Sequence, residues 1–174
     1  MGGRLLGRID ALLGVLCRAV EGFNAVLLAT MLGINAINIV VRGVADDALD
    51  WVWPWTMTLF VWWVLLALFP LYRLRKDVSI YFLLRHSRPR FERVLGTFVH
   101  LVILVAMAVL VYMGPERLAS ARGTIEIVGL PRWWLVVPLI FSASLVALDA
   151  LVNIVAIGTG ERTYEPFGRV EANP

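Results

Sequence analysis

Two ionisable side chains fall inside long apolar stretches of this 174-residue chain: His100, within VLGTFVHLVILV, and Asp149, within SASLVALDALVNIV. An imidazole and a carboxylate at similar depth can pass a proton, and ionisable groups inside apolar spans are functional candidates by default. The structural alternative pairs His100 with Asp149, or Asp149 with Asn153 one turn on, and Asp149, Asn153 and Ser142 share a helix face. One His and one Asp make a thin relay, so the residues argue for a buried structural cluster of His100, Asp149 and Asn153. Other constellations are missing from the sequence: it has no Gly-rich phosphate loop, no HExxH and no nucleophile elbow. A bis-His haem needs paired histidines at matched depth, whereas His86, the second of 2 histidines, falls in a charged loop. The single cysteine, Cys17, excludes an internal disulfide and a multi-cysteine metal site. No enzyme, cofactor or metal site is expected.

The elements that must position these residues follow from composition. The chain is 60% hydrophobic, against roughly 45–50% in soluble domains. The excess is concentrated in four blocks, Ala19–Val41, Pro54–Tyr72, Val94–Met113 and Trp133–Ile157, of 23, 19, 20 and 25 residues. At about 1.5 Å per residue, each crosses a hydrocarbon core of roughly 30 Å. Soluble helices carry a polar stripe, and most of each block has none. The expected fold is an all-α integral membrane protein, one membrane domain over residues 1–174 with four transmembrane helices and a polar tail from residue 158.

Orientation comes from Arg73–Arg93, which holds seven of the 16 Lys and Arg residues and only Asp77 and Glu92 against them. The positive-inside rule places this loop in the cytoplasm and, by counting crossings, both termini with it. The formal charge of +3 is therefore a mark of topology and not of nucleic-acid binding. Arg73, Arg75, Lys76, Arg85 and Arg88 are expected to meet anionic headgroups, and Val78–Leu84 to form a short interfacial helix between the second and third spans. Arg4 and Arg8 precede an apolar run as in a signal peptide, but the run is too long and no convincing small-residue cleavage site precedes Arg42, so an uncleaved first helix is expected. Gly3–Glu21 has Leu5, Leu6, Ile9, Leu12, Leu13 and Leu16 at helical spacing. It reads either as an amphipathic helix lying in the headgroup region or as an extension of the first span.

In the first span, Asn24, Met31, Asn35 and Asn38 share one face. Asn in hydrocarbon needs a partner, so this face should meet protein. Glu21 and Asn24 are placed to join the His100–Asp149 cluster. Trp51, Trp53 and Trp55, with Trp133 and Trp134, occupy the level of an outer aromatic belt. Trp62 and Trp63 lie mid-span, and at least one is expected against another protein surface. The second outer loop is read as Gly114–Arg132, and Pro138 as a source of a mild kink early in the last span.

Two stretches carry a resemblance. WPWTMTLFVWW (Trp53–Trp63), followed by RLRKDVSIYFLL (Arg73–Leu84), resembles the tryptophan-led second helix and basic sequel of the small, DctQ-type membrane subunit of TRAP transporters. GLPRWWLVVPLIFSASLVALDAL (Gly129–Leu151) is similar to that family's Gly-x-Pro entry to the last helix and the proline early in it. The resemblance covers roughly Ala11–Ala156 and implies a role in the bacterial inner membrane. Such a subunit braces a large, DctM-type permease subunit that carries substrate and sodium sites, and a periplasmic binding protein delivers organic acids. It implies a partner-facing surface, for which Asn24, Asn35, Asn38, Trp62 and Trp63 are the candidates. The outer loops Asp46–Trp55 and Arg117–Arg132 are candidates for contact with the binding protein. The alternatives are an independent small carrier using His100 and Asp149, and a membrane assembly factor.

Overall fold

The computed structural model describes residues 2–45, 49–74 and 89–159. Four helices run through them: α1 (Gly2–Ala45), α2 (Val52–Arg73), α3 (Pro89–Ser120) and α4 (Val137–Gly158), the last entered through a 3-10 turn, Arg132–Leu135. All four are long and apolar enough to cross a membrane.

The first helix is unbroken over 44 residues, or about 66 Å at about 1.5 Å per residue. The amphipathic N-terminal stretch is therefore the first turns of the same helix, the second of the two expected readings. No Pro falls at the junction near Glu21, and Gly22 costs only about 1 kcal/mol, so nothing ends the helix there. Its buried positions, Leu13, Cys17, Val20, Asn24 and Leu27, alternate by four and three. That is the spacing of a seam packed along a neighbouring helix, here α2.

The last helix is the centre of the bundle, packing against α3, α2 and α1. Ser142, Ala143, Val146, Asp149, Ala150 and Asn153 form its buried stripe. Small side chains on this stripe let neighbouring backbones come close. The core joins Leu13, Cys17 and Val20 of α1, Leu66, Phe69 and Tyr72 of α2, and Val146 and Ala150 of α4. It lies toward the end of the bundle marked by Arg73. Gly114 of α3 is a second close approach, where an added Cβ would fall 2.8 Å from the Ile140 side chain.

Helix ends and prolines differ from those expected. The third helix continues through Pro115 to Ser120, so the connection to α4 is shorter than Gly114–Arg132. Proline forfeits one backbone hydrogen bond, but Glu116, Arg117, Leu118 and Ala119 are good helix formers and carry the helix past it. Pro138 falls at the second position of α4, where a missing N–H costs nothing, so it starts the helix instead of kinking it. Pro54 is likewise in the first turn of α2, which begins two residues earlier than expected, at Val52. The α3–α4 connection is a tight loop closed by an isolated bridge between Thr124 and Pro131. The Arg132 N–H donates to the Gly123 carbonyl at 3.0 Å, and the Ile125 N–H to the Leu130 carbonyl at 2.8 Å.

Candidate functional site

Arg73 ends the apolar run of α2, and its guanidinium is where three helices meet. It donates to the carboxylate of Asp149 in α4. It also reaches α1, donating to the Asp10 carboxylate at 2.9 Å and the Asp10 carbonyl at 2.8 Å. The Arg73 side chain is only 16% exposed and that of Asp149 only 3%. One cation between two carboxylates uses the planar fork of Arg, whose several N–H groups address different acceptors at once. The Asn153 amide donates to the Asp149 carbonyl at 2.9 Å and lies 3.5 Å from its carboxylate, holding the acid from the next turn.

Tyr72, the residue before Arg73, turns to the remaining helix. Its hydroxyl is 2.7 Å from Nδ1 of His100 in α3, and the two rings meet edge to face at 6.0 Å. Consecutive residues of α2 thus address His100 and Asp149, Tyr72 the first and Arg73 the second. Arg73, which was expected at the headgroups, is engaged by the buried Asp149 and the half-buried Asp10. Arg75, Lys76, Arg85 and Arg88, and the interfacial helix expected at Val78–Leu84, lie outside the described residues.

A further polar contact answers a backbone fault. Pro70, in the last turn of α2, has no N–H to give the Leu66 carbonyl. The Ser142 hydroxyl of α4 donates to that carbonyl at 3.3 Å. In a bilayer no water can take the role, so the neighbouring helix does.

At the opposite end of the bundle, Asn35 donates to Thr56 Oγ1 of α2 at 2.9 Å and to the Met31 carbonyl at 2.7 Å. Asn38 accepts from the Leu49 N–H at 3.0 Å. Both asparagines therefore have hydrogen-bond partners in the α1–α2 hairpin of their own chain. The seam that begins at Leu13 simply continues to them. Asn24, on the same seam, is 8% exposed and its Oδ1 finds no partner among the described residues.

Trp62 stacks on Trp134 with ring centres 4.9 Å apart, and its indole N–H is buried without an acceptor among the described residues. It helps line an apolar pocket of about 380 Å³ with Phe23, Pro138 and Phe141. Trp63 is on the other side of α2, in a groove with Glu21, Asn24 and Ala67. Trp51, Trp53 and Trp55 lie at the start of α2, and Trp133 and Trp134 in the 3-10 turn that enters α4. Trp53 borders a third recess, about 500 Å³, with Glu126 and Arg132 of the α3–α4 loop. Asp46 and Asp47 lie outside the described residues.

Asp10, Tyr72, Thr56 and the Leu66 carbonyl are the partners that sequence reasoning missed. Asp10 had a signal, being the one acidic residue among the first twenty. Among the described residues no group of three or more His, Cys, Asp and Glu is arranged to hold a metal ion. What the arrangement does chemically is neutralise and satisfy buried polar groups across helices.

The family model for tripartite ATP-independent periplasmic transporters, DctQ component, matches residues 31–158, well over half of the chain. Comparison with curated proteins gives no match. The matched segment takes in α2, α3, α4 and the C-terminal third of α1, and with them Tyr72, Arg73, His100 and Asp149. With four helices able to span a membrane and this family match, the chain is a multi-pass membrane protein that belongs to the DctQ component family, the small membrane subunits of tripartite ATP-independent periplasmic transporters.

Proposed function

We propose that this chain is the scaffold of its transporter. It braces the static part of a large, DctM-type permease subunit in the bacterial inner membrane, with both termini in the cytoplasm. The assembled system takes up organic acids with sodium, delivered by a periplasmic binding protein. The observation that carries this reading is the Asp10–Arg73–Asp149 bridge. Arg73 and Asp149, charged groups at membrane depth, are engaged in holding three helices at fixed distances, as a brace requires. Tyr72–His100 and Asn35–Thr56 extend the same use of polar groups to the rest of the bundle. The tryptophan-rich end and the α3–α4 loop make the surface offered to the binding protein, and the unmatched N-terminal turns of α1 extend toward the cytoplasm.

The test is reconstitution. Vesicles holding this chain together with its large subunit and binding protein should accumulate an organic acid when a sodium gradient is imposed. Vesicles holding this chain alone should not. Uptake by the chain alone, lost on Asp149→Asn, would replace the scaffold with a small independent carrier.

A further inference from the structure

The loop between α3 and α4 holds one residue in a costly backbone form. The Val128 N–H donates to the Glu126 carbonyl at 2.8 Å, closing a three-residue turn centred on Ile127, whose φ is 68°. A γ-turn of that hand is the rare, strained one, and a β-branched residue at positive φ is an outlier. Glycine would take the same φ without steric cost. The flanking chain holds the turn in place: the Gly129 N–H donates to the Ile125 carbonyl at 2.9 Å, and the Ile125 N–H to the Leu130 carbonyl at 2.8 Å. Ile127 is 64% exposed, so packing within the chain does not offset the strain. Next to the turn is the recess of about 500 Å³ between Ile125 and Glu126 of the loop, Trp53 and Met57 of α2, and Arg132. A cavity of about 150 Å³ holds a benzene ring, so the recess admits a large apolar side chain, with an acid and a base in its wall.

We infer that Ile127 is the anchor with which this loop grips the binding protein, while the recess beside it receives an apolar side chain from that protein. The inference rests on the reading of this chain as a subunit that offers its outer end to a binding protein, and it names the contact. Three features select a folded protein over lipid. A bilayer is fluid and exacts no fixed side-chain position, so lipid has no use for a strained turn. Docking of two folded surfaces does, because a pre-organised group loses less freedom on binding. Glu126 and Arg132 are both exposed; hydrocarbon would strip their water without replacing it, whereas a protein surface brings polar groups to the rim of an apolar contact. Strain of this kind persists where the surrounding structure over-determines it, and it collects at sites that grip a ligand, often on loops carried by a rigid scaffold.

The experiment uses this chain assembled with its large subunit in lipid nanodiscs, titrated with the purified binding protein. Ile127→Asn removes the apolar group but keeps a residue that tolerates positive φ. Ile127→Gly removes the strain as well. Both should weaken capture of the binding protein about tenfold, as the loss of one buried anchor does. Neither should lower the unfolding temperature of the isolated chain, since both residues accept the backbone that isoleucine resists. A photoreactive benzoylphenylalanine replacing Glu126, at the edge of the recess, should crosslink to the binding protein. If the wild-type complex captures the binding protein but either variant does so as tightly, the inference falls and the scaffold reading stands. The same holds if the probe at position 126 labels only phospholipid, the large subunit or a second copy of this chain. A variant that unfolds earlier by itself would also overturn it, by showing an internal role for Ile127. If the wild-type complex captures no binding protein, the proposed delivery route falls with the inference.

Discussion

Arg73 and Asp149 are separated by 76 positions, yet the guanidinium of one donates to the carboxylate of the other, tying the end of α2 to α4. Asp149 is almost wholly buried, so it depends on this partner, while Asp10 at 26% exposed retains some contact with the surroundings. The asymmetry sets the order of the mutational effects.

Arg73→Gln leaves the Asp149 charge buried without its cation, and removing one partner of a buried pair costs about 3–5 kcal/mol. Asp10→Asn removes only the more exposed arm and should cost about 1 kcal/mol or less. Cys17, 2% exposed and the only cysteine, provides the readout. A thiol-reactive fluorophore reports its uncovering as detergent-solubilised protein is heated. Arg73→Gln should unfold at a clearly lower temperature than Asp10→Asn, and equal midpoints would contradict the assigned roles.

The Ser142–Leu66 contact makes a coupled prediction. Ser142→Ala should destabilise the chain by about 1 kcal/mol, since the Leu66 carbonyl loses its donor. In a Pro70→Ala background the helix supplies its own N–H to that carbonyl, so the same change should cost markedly less. A double-mutant cycle measures the difference, and additive effects would show that Ser142 does not serve this carbonyl.

At the α3–α4 crossing, the Cβ of Gly114→Ala meets the flexible end of Ile140. Rotation of that side chain offsets against the gain in helix propensity, which leaves stability within about 1 kcal/mol. Gly114→Leu has no such escape and should cost about 1–3 kcal/mol by overpacking. Adding Ile140→Ala should restore much of it. Failure of the second change to rescue the first would place the strain elsewhere.

Orientation is tested by labelling. In a Cys17→Ala background, a cysteine replacing Glu126 in the α3–α4 loop should react with a membrane-impermeant maleimide added to intact spheroplasts. A cysteine replacing Gly7 in the first turns of α1 should react only after the membrane is opened. The reverse pattern would invert the topology argued from the Arg73–Arg93 charges.

Much of the architecture was legible because its causes are local. Block length and apolarity require helices that satisfy their own backbone in lipid, and four such blocks are visible without knowing what they pack against. The tryptophan and proline spacing also carried the resemblance that the family match supports. Helix ends were less legible. Pro115 reads as a stop, but one forfeited hydrogen bond is outweighed by the helix-forming residues that follow, and the length of α1 depended on whether anything breaks it near Glu21.

The polar residues divide more sharply. Sequence alone determined that Asn24, Asn35, Asn38, His100 and Asp149 need partners, because apolar spans leave such groups no water. Only the tertiary structure decided which partners Asn35, Asn38, His100 and Asp149 take. Helix rotation and crossing bring Thr56 to Asn35, Tyr72 to His100 and Arg73 to Asp149, and a side chain's neighbours across a bundle depend on how all four helices pack together, not on the residues beside it in the chain.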